Sequence, residues 1–499
     1  MLLQMNRITK KYGSLTANAN VDFSLREGEI HALVGENGAG KTTLMRILYG
    51  MEQPTAGTIQ LRGRKVVFTN PNDAIAGGIG MVHQHFMLFP SFTVAENIVI
   101  GNEPKAGMKF DRKKAAFQVE ALCEKYRLPI DPLKKVADCP LGLQQRVEIL
   151  KVLYQGADII ILDEPTGVLT PLEAKELLVI MKSLASQGKS FIIITHKLHE
   201  VMEVADRITV LRDGRVTGTL DASATNVEVL SRLMVGRELA QPTRSTVKTG
   251  ETVLEVKNIS ILGKKGKPVL DHVSLKVNAG EIVGIAGISG NGQSELIQSI
   301  SGLQTIDQGE IRLMGKDIAG RSVREVRDTG LSHIPEDRYQ WGAAKEGTVL
   351  ENGTMGHHRT YRRGGLLQGK ALRSMVSRFI EQFQIKAGSQ ETKAKYLSGG
   401  NLQKLIVARE IAQNRPFLIA AEPTRGVDIG AMELIHEELL KKRDEQGAIL
   451  LVSSELTEIL KLSDRIIVMY EGRVAGELSA ENATEEQISL WMAGGDSSA

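Results

Sequence analysis

Residues 35–42 read GENGAGKT, the G-x-x-x-x-G-K-[ST] spacing of a loop built to hold phosphate. Glycines at that spacing let successive backbone N–H groups turn inward around the β- and γ-phosphates of a nucleotide, and the helix that follows adds the positive end of its dipole. Lys41 brings a full charge to those phosphates and the Thr42 hydroxyl a ligand for Mg²⁺, with Gly35, Glu36, Asn37, Gly38, Ala39, Gly40 and Thr43 completing the cradle. A second loop of the same form begins 252 residues later, where residues 287–294 read GISGNGQS and Gln293 stands in the place of Lys41. A neutral amide donates hydrogen bonds but offsets no phosphate charge, so the two loops predict unequal sites.

Residues 159–164 (IIILDE) are an apolar run that ends in two carboxylates. Asp163 is placed to hold the Mg²⁺ shell, and Glu164 to orient or deprotonate an attacking water. Taken alone, paired acids at a strand end are solvated edge charges; downstream of a phosphate loop, with His196 ending the next strand-like run, the catalytic reading prevails. His196 then contacts the γ-phosphate, and Gln84, after the strand-like GIGMV, reaches the metal and the water; for each the alternative is an ordinary polar loop residue. Residues 397–401 (LSGGN) place a hydroxyl and two glycines before a helix-compatible stretch at 402–413. Such a segment can face an anion supplied from elsewhere, or act as a serine-glycine helix cap.

These side chains need a strand entering each loop and a helix leaving it. Residues 29–34 (EIHALV) read as a buried strand and 44–48 as the helix, while β-branched runs at 159–162, 191–195 and 208–211 alternate with helix-forming stretches. The alternation predicts a mainly parallel sheet covered by helices on both faces. The pattern occurs twice: Glu422 follows Glu164, Ser454 follows His196 and Gly472 follows Gly214 by 258 residues each. The extra six residues relative to the loops therefore lie ahead of the acid-bearing strand, where surface insertions are tolerated. The expected division is domain one at 1–238, a linker at 239–252 around the polar QPTRSTVKTG of 241–250, and domain two at 253–499.

A chain of 499 residues with 42% hydrophobic content can fill more than one core. Sixty-two basic against fifty-nine acidic residues leave a formal charge of +3, so no global field marks a nucleic-acid or membrane-surface binder. Cys123 and Cys139, the only cysteines, exclude a disulfide framework and a four-cysteine zinc site; both read as small core or helix residues suited to a reducing cytosol. No apolar run approaches the ~20 residues that cross a bilayer, and MLLQMNRITKKYG carries no signal-peptide pattern, so membrane work is expected to go through partners.

The order of phosphate loop, glutamine loop at Gln84, LSGGN-type signature, Walker B acids and histidine loop resembles the ATP-binding cassette (ABC) ATPases, twice and over essentially the whole chain. GNGQSEL in the second loop, with HIPEDR after it, is similar to the fused ATPase subunits of bacterial simple-sugar importers. GMVHQHFMLFPSFTVAENI, QQRVEILKVLYQGAD and AAEPTRGVD are most like the nucleoside importers. The resemblance implies an α/β fold of two tandem P-loop NTPase domains, each a RecA-like core with an antiparallel β subdomain and a helical signature subdomain. It implies ATP and Mg²⁺ as cofactors, two permease subunits different from each other, an extracytoplasmic substrate-binding lipoprotein, no nucleic acid, and a place on the cytoplasmic face of the cell membrane.

It also implies a head-to-tail arrangement in which the phosphate loop of one half works with the signature of the other. Site one then joins Lys41, Gln84, Asp163, Glu164 and His196 to Ser398, Gly399, Gly400 and Asp428. Site two joins Gln293, Ser294, Glu336 in the glutamine-loop position, Ala421 in place of the aspartate, Glu422, and Ser454 in place of the histidine to the first signature, CPLGL at 139–143. There Pro140 removes the serine, and Thr170 stands where an aspartate belongs. Because the losses collect in one site, hydrolysis is expected at site one and nucleotide binding without hydrolysis at site two; Glu422 is the acid that survives against that pattern.

Tyr12, ahead of the first strand, stands where the family stacks an aromatic on adenine, and residues 254–270 of the second half offer none. By the resemblance, the apolar HFMLF at 85–89 forms part of the groove that receives a short cytoplasmic permease helix, with packing inside the subdomain as the alternative. The arginine-rich 357–373 reads as a solvated insertion face. The competing function is a soluble tandem ATPase acting on ribosomes, for which a long charged linker and two competent sites are expected; a cassette-type DNA-damage sensor would need zinc-binding cysteines.

Overall fold

Residues 30–35, 159–163 and 190–195 are buried at every position, which is why they read as continuous apolar runs rather than alternating ones. A computed structural model describes residues 1–13, 15–36, 38–83, 86–107, 109–167, 169, 171–195, 197–236, 247–263, 266–288, 290–492 and 494–495. Asn37, Gln84, Thr170, His196 and most of the expected linker lie outside the described residues. The chain divides into two compact units, Met1–Leu239 and Ala240–Ala499.

In the first unit a six-stranded sheet runs Arg215–Asp221, Arg207–Arg212, Ile30–Gly35, Ser190–Thr195, Ile159–Asp163, Ile79–Val82. Its strands are parallel except for the outer strand Arg215–Asp221. Parallel neighbours put all the strand C-termini on one edge, so the phosphate loop after Gly35 and the acids after Leu162 emerge together. A four-stranded antiparallel sheet, Leu15–Leu25, Leu3–Tyr12, Ala56–Leu61, Arg64–Val66, forms the β subdomain. Helices Val94–Val99, Arg112–Tyr126 and Leu141–Tyr154 form the helical subdomain.

The second unit repeats this order. Its large sheet runs Leu331–Ile334, Phe417–Ala421, Ala448–Val452, Ile282–Ala286, Arg465–Tyr470, Arg473–Ser479, and its small one Pro268–Asn278, Thr252–Leu262, Gln308–Leu313, Lys316–Asp317. Even the capping is duplicated: Thr93 with Glu96 and Thr348 with Glu351 make reciprocal boxes at the start of the first subdomain helix of each unit. The expected α/β, doubly built fold is therefore the observed one.

Four local expectations are corrected. The first phosphate-loop helix begins at Lys41, not Leu44, and the second signature helix at Gly399, not Leu402, because the opening residues, Lys-Thr-Thr in one and Gly-Gly-Asn in the other, give no apolar periodicity to read. Tyr12 ends the first strand rather than preceding it. The 357–373 segment is not one solvated face: His357 is buried, its Nε2 hydrogen-bonded to Arg409 O at 3.0 Å, and packs against Phe379. Cys123 and Cys139 are buried free thiols.

Candidate nucleotide sites

Strand Ile30–Gly35 delivers the chain into a turn where Gly38 and Gly40 take φ of +85° and +98°, the left-handed region that favours glycine. A Cβ on Gly40 would also lie 2.4 Å from the Ala17 carbonyl oxygen and 2.5 Å from Asn18 Nδ2. The Lys41 ammonium is buried and donates to Gly35 O at 2.7 Å and Glu36 O at 2.9 Å, so it lies inside the loop it closes. Burial pushes its pKa down, while Glu164, Asp163 and Glu36 pull it back up.

Asp163 closes strand Ile159–Asp163, which lies one strand beyond Ser190–Thr195 in the sheet, and its Oδ2 is 3.5 Å from the Thr42 hydroxyl. Burial and the adjacent Glu164 carboxylate push Asp163 up to about 6, against the pull of Lys41. Glu164 has φ +48°, uncommon for a residue with a Cβ, and its N–H donates to Ile194 O at 2.8 Å. That turn takes Glu164 off the strand end and is the kind of local strain that functional sites retain. The site-one groups Lys41, Thr42, Asp163 and Glu164 thus come together within one unit; Gln84 and His196 lie outside the described residues.

The second loop keeps the backbone and loses the charge. Gly290 and Gly292 hold φ of +94° and +103°, and helix Gln293–Ile300 follows as Lys41–Leu48 does. The Gln293 amide folds back over Gly287, its Nε2 2.1 Å from where a Cβ there would stand. Ser294 Oγ donates to Glu336 Oε2 at 2.8 Å. With Ala421 buried where Asp163 stands in the first unit, the carboxylate beside the loop hydroxyl now comes from the segment after strand Leu331–Ile334.

Glu422 repeats the φ of +48°, but both its oxygens are taken: Ser454 N donates at 2.7 Å and Ser454 Oγ at 3.0 Å. Burial, with the Glu458 carboxylate nearby, still pushes Glu422 up to about 7 against the lowering effect of Ser454. A folded value above the ordinary 4.5 means that proton binding favours the fold: the contribution is complete below about pH 4.5 and is lost as pH rises through about 7. Glu422→Gln, which cannot ionise, should stabilise the chain relative to wild type at pH 8 and hardly at pH 4.5, a contrast of about 1 to 3 kcal/mol. Melting temperatures at the two pH values measure it, and equal shifts at both would disprove the cause assigned.

The two signatures differ as sharply. In the second unit Ser398 caps helix Gly399–Ile411, its oxygen accepting from Asn401 N at 3.4 Å and Asn401 Nδ2 at 2.8 Å. Gly400 lies so close to the next turn that a Cβ would meet Gly426 O at 2.9 Å. Gln403 Nε2 ties the helix to the Walker B exit through Glu422 O at 3.2 Å and Pro423 O at 3.1 Å, and Asp428 caps the following helix through Ala431 N at 2.7 Å. In the first unit Pro140 offers no side-chain cap, and the Gly142 N–H donates instead to Glu173 Oε1 at 3.2 Å. Gln145, the counterpart of Gln403, is buried, and its Nε2 finds no hydrogen-bond partner among the described residues.

Glu173 was missed in the sequence. Its signal was available, since Ala431 stands 258 residues later and the carboxylate is private to the first half. Tyr12 is exposed, with the Lys10 ammonium 4.9 Å from its ring centroid.

Of the apolar segment after Gln84, Leu88 packs against the core while Met87 (58% exposed) and Phe89 (53%) project outward. Buried groups fix that alternation: Met87 N donates to Glu148 Oε1 at 2.6 Å, and Phe89 N to Asn97 Oδ1 at 2.7 Å. At the matching 252-residue offset the second unit exposes Tyr339 (43%) and Trp341 (50%).

The ABC transporter family profile matches residues 18–167 and 270–425. The chain is 47% identical over 496 residues to the guanosine import ATP-binding protein NupO of Bacillus subtilis (strain 168), covering 99% of this chain and 97% of that one. It is 45% identical over 501 residues to the nucleoside import ATP-binding protein NupA of Lactococcus lactis subsp. cremoris (strain MG1363), covering 99% and 98%. Among solved structures, an archaeal ribosome recycling factor crystallised with a ribosomal stalk protein superposes with a TM-score of 0.64, covering 95% of this chain and 90% of that one. At 17% identity that likeness speaks to the fold alone.

Proposed function

Since this chain belongs to the ABC transporter family, which it matches twice, we propose that it is the ATP-hydrolysing motor of an importer for nucleosides. The observation that carries the reading is full-length identity of 47% and 45% to two nucleoside import ATP-binding proteins. The ribosome-acting alternative rests on fold likeness at 17% identity and has no comparable support.

In this reading the first phosphate loop works with the second signature. Lys41 and the loop amides bind the β- and γ-phosphates of ATP, Glu164 orients the attacking water, and Ser398, Gly399 and Gly400 receive the terminal phosphate, with Asp428 at the rim. His196 and Gln84 complete the shell around the γ-phosphate, and Tyr12 offers its ring to adenine. The cation that ATP brings is Mg²⁺, and the donors fit it: Thr42 Oγ1 and Asp163 Oδ2 are hard oxygens 3.5 Å apart, close to the ~3 Å between neighbouring ligands of an octahedral magnesium. Bound there, it would neutralise charge developing on the phosphates. The second phosphate loop, with its backbone turn intact and its lysine, aspartate and histidine gone, binds nucleotide without hydrolysing it.

Among the described residues no helix is long and apolar enough to cross a membrane, so the translocation path belongs to permease partners. The two outward pairs, Met87 with Phe89 and Tyr339 with Trp341, are the proposed docking points. Their unlike chemistry favours two different permeases, one per half, at the cytoplasmic face of the membrane, fed by an extracytoplasmic substrate-binding protein. No nucleic-acid role is assigned, since the formal charge is only +3.

Uptake by cells lacking this chain tests the reading. Labelled nucleoside uptake should vanish and return with the wild-type chain, competed by nucleosides and not by pentoses or hexoses; competition by a sugar alone would reassign the substrate. Met87→Asp with Phe89→Asp should leave the fold and ATP binding intact yet fail to restore uptake, because an unpaired charge is costly in an apolar interface. Full restoration would place docking elsewhere.

A further inference from the structure

The segment after strand Leu331–Ile334 does more than place Glu336 beside Ser294. Two residues on, the Arg338 guanidinium lies between two turns of the same unit, 5.3 Å from the Tyr339 ring centroid. Its Nη2 stands 2.7 Å from where a Cβ on Gly399 of the signature would be, and 3.1 Å from where one on Gly426 would be. Its Nη1 donates to Arg425 O at 2.7 Å, its only hydrogen bond among the described residues, and no carboxylate pairs with it there. Ahead of the arginine, Glu336 anchors the segment on Ser294, and Asp337 Oδ1 caps the turn that carries Arg338, accepting from Tyr339 N at 2.7 Å and Gln340 N at 2.9 Å.

Helix stability does not account for this arrangement. A cation at the N-terminus of helix Gly399–Ile411 meets the positive end of the helix dipole, the unfavourable end for it. Nor is it common to both halves: Phe86, Leu141 and Val168 stand at the positions of Arg338, Gly399 and Gly426 in the first half. An arginine and two glycines are thus exchanged together for three apolar side chains. The glycines leave the volume that a planar guanidinium fills.

We propose that Arg338 is a positioning residue for ATP hydrolysis: its planar fork pins the Ser398–Gly400 turn to the Arg425–Asp428 turn, holding the second signature in the form that receives the terminal phosphate. The inference rests on the pairing of first phosphate loop with second signature given above. Pinning requires the flat, forked group; a lysine has the charge but not the shape.

The full chain with its permease complex is the material for the test. Arg338→Ala should lower kcat at least tenfold with KM for ATP within twofold of wild type and the melting temperature little changed. A merely structural role would move stability, not kcat alone. Arg338→Lys should recover little of the loss, and Gly399→Ala, which displaces the guanidinium, should reproduce it. Arg338→Ala added to Ser398→Ala should cost no more than Ser398→Ala alone, since the two act as one unit. If Ser398→Ala cuts turnover tenfold while Arg338→Ala leaves it within twofold, or if Arg338→Lys restores it fully, the inference fails and the signature reading stands. If neither Ser398→Ala nor Arg338→Ala affects turnover, the signature reading itself fails. Should Arg338→Ala not fold, Arg338→Lys and Gly399→Ala decide by the same criteria.

Discussion

Glu164→Gln is expected to bring ATP turnover below about a hundredth of wild type, and Lys41→Ala to do the same, measured as phosphate release with the permeases present. A hundredfold loss corresponds to about 2.7 kcal/mol of transition-state stabilisation. Each residue can supply that much. Glu164 sits on the strained turn at φ +48°, held by its own N–H on Ile194 O, so its backbone is set at the strand end before substrate arrives. The near-isosteric glutamine keeps that geometry and removes only the charge. Lys41 lies buried within its loop, where a positive charge acts on phosphate with little screening. The second half cannot compensate, because Gln293 brings no charge, Ala421 no carboxylate, and Glu422 is held by Ser454 through both oxygens. Residual turnover above a tenth in Glu164→Gln would move the motor away from the first phosphate loop.

A single turnover with trapped nucleotide is expected to yield one ADP per chain and one ATP left intact. The backbone turns of the two loops match, with φ of +85° and +98° in one and +94° and +103° in the other, so both can cradle phosphate. Only the first adds the charges of Lys41 and Asp163. In the pairing proposed above, the first signature would add a further bar to reaction at the second loop. Its Gly142 amide already donates to Glu173, so the helix end that would meet a terminal phosphate carries a carboxylate instead, and Gln145 Nε2 makes no hydrogen bond among the described residues. Like charge next to a phosphate is repulsive, and a helix N-terminus that is already capped has less to offer. Two ADP per chain would refute the asymmetry, and one ADP with no retained ATP would show that the second loop does not bind.

Spacing along the chain was enough to determine the duplication, the sheet of continuous apolar strands, and the identity of Lys41, Thr42, Asp163 and Glu164, because phosphate loops and strand-end acids are local devices whose geometry follows from consecutive residues. The same comparison at fixed offsets located the replaced polar residues, Gln293, Ala421 and Ser454 in the second half and Pro140 and Thr170 in the first. Folding decided what depends on residues far apart in sequence meeting at one point. No local pattern says that Glu336 will take the Ser294 hydroxyl, that Glu173 will cap Gly142 across 31 residues, or that Arg338 will fill the space left by Gly399 and Gly426. Nor does an apolar run such as HFMLF reveal which side chains face out: Leu88 is drawn into the core and Met87 and Phe89 are not, because buried Glu148, 61 residues on from Met87, and buried Asn97, eight on from Phe89, hold the backbone between them. Buried polar groups must find partners wherever the chain brings them, and that requirement is satisfied only in three dimensions.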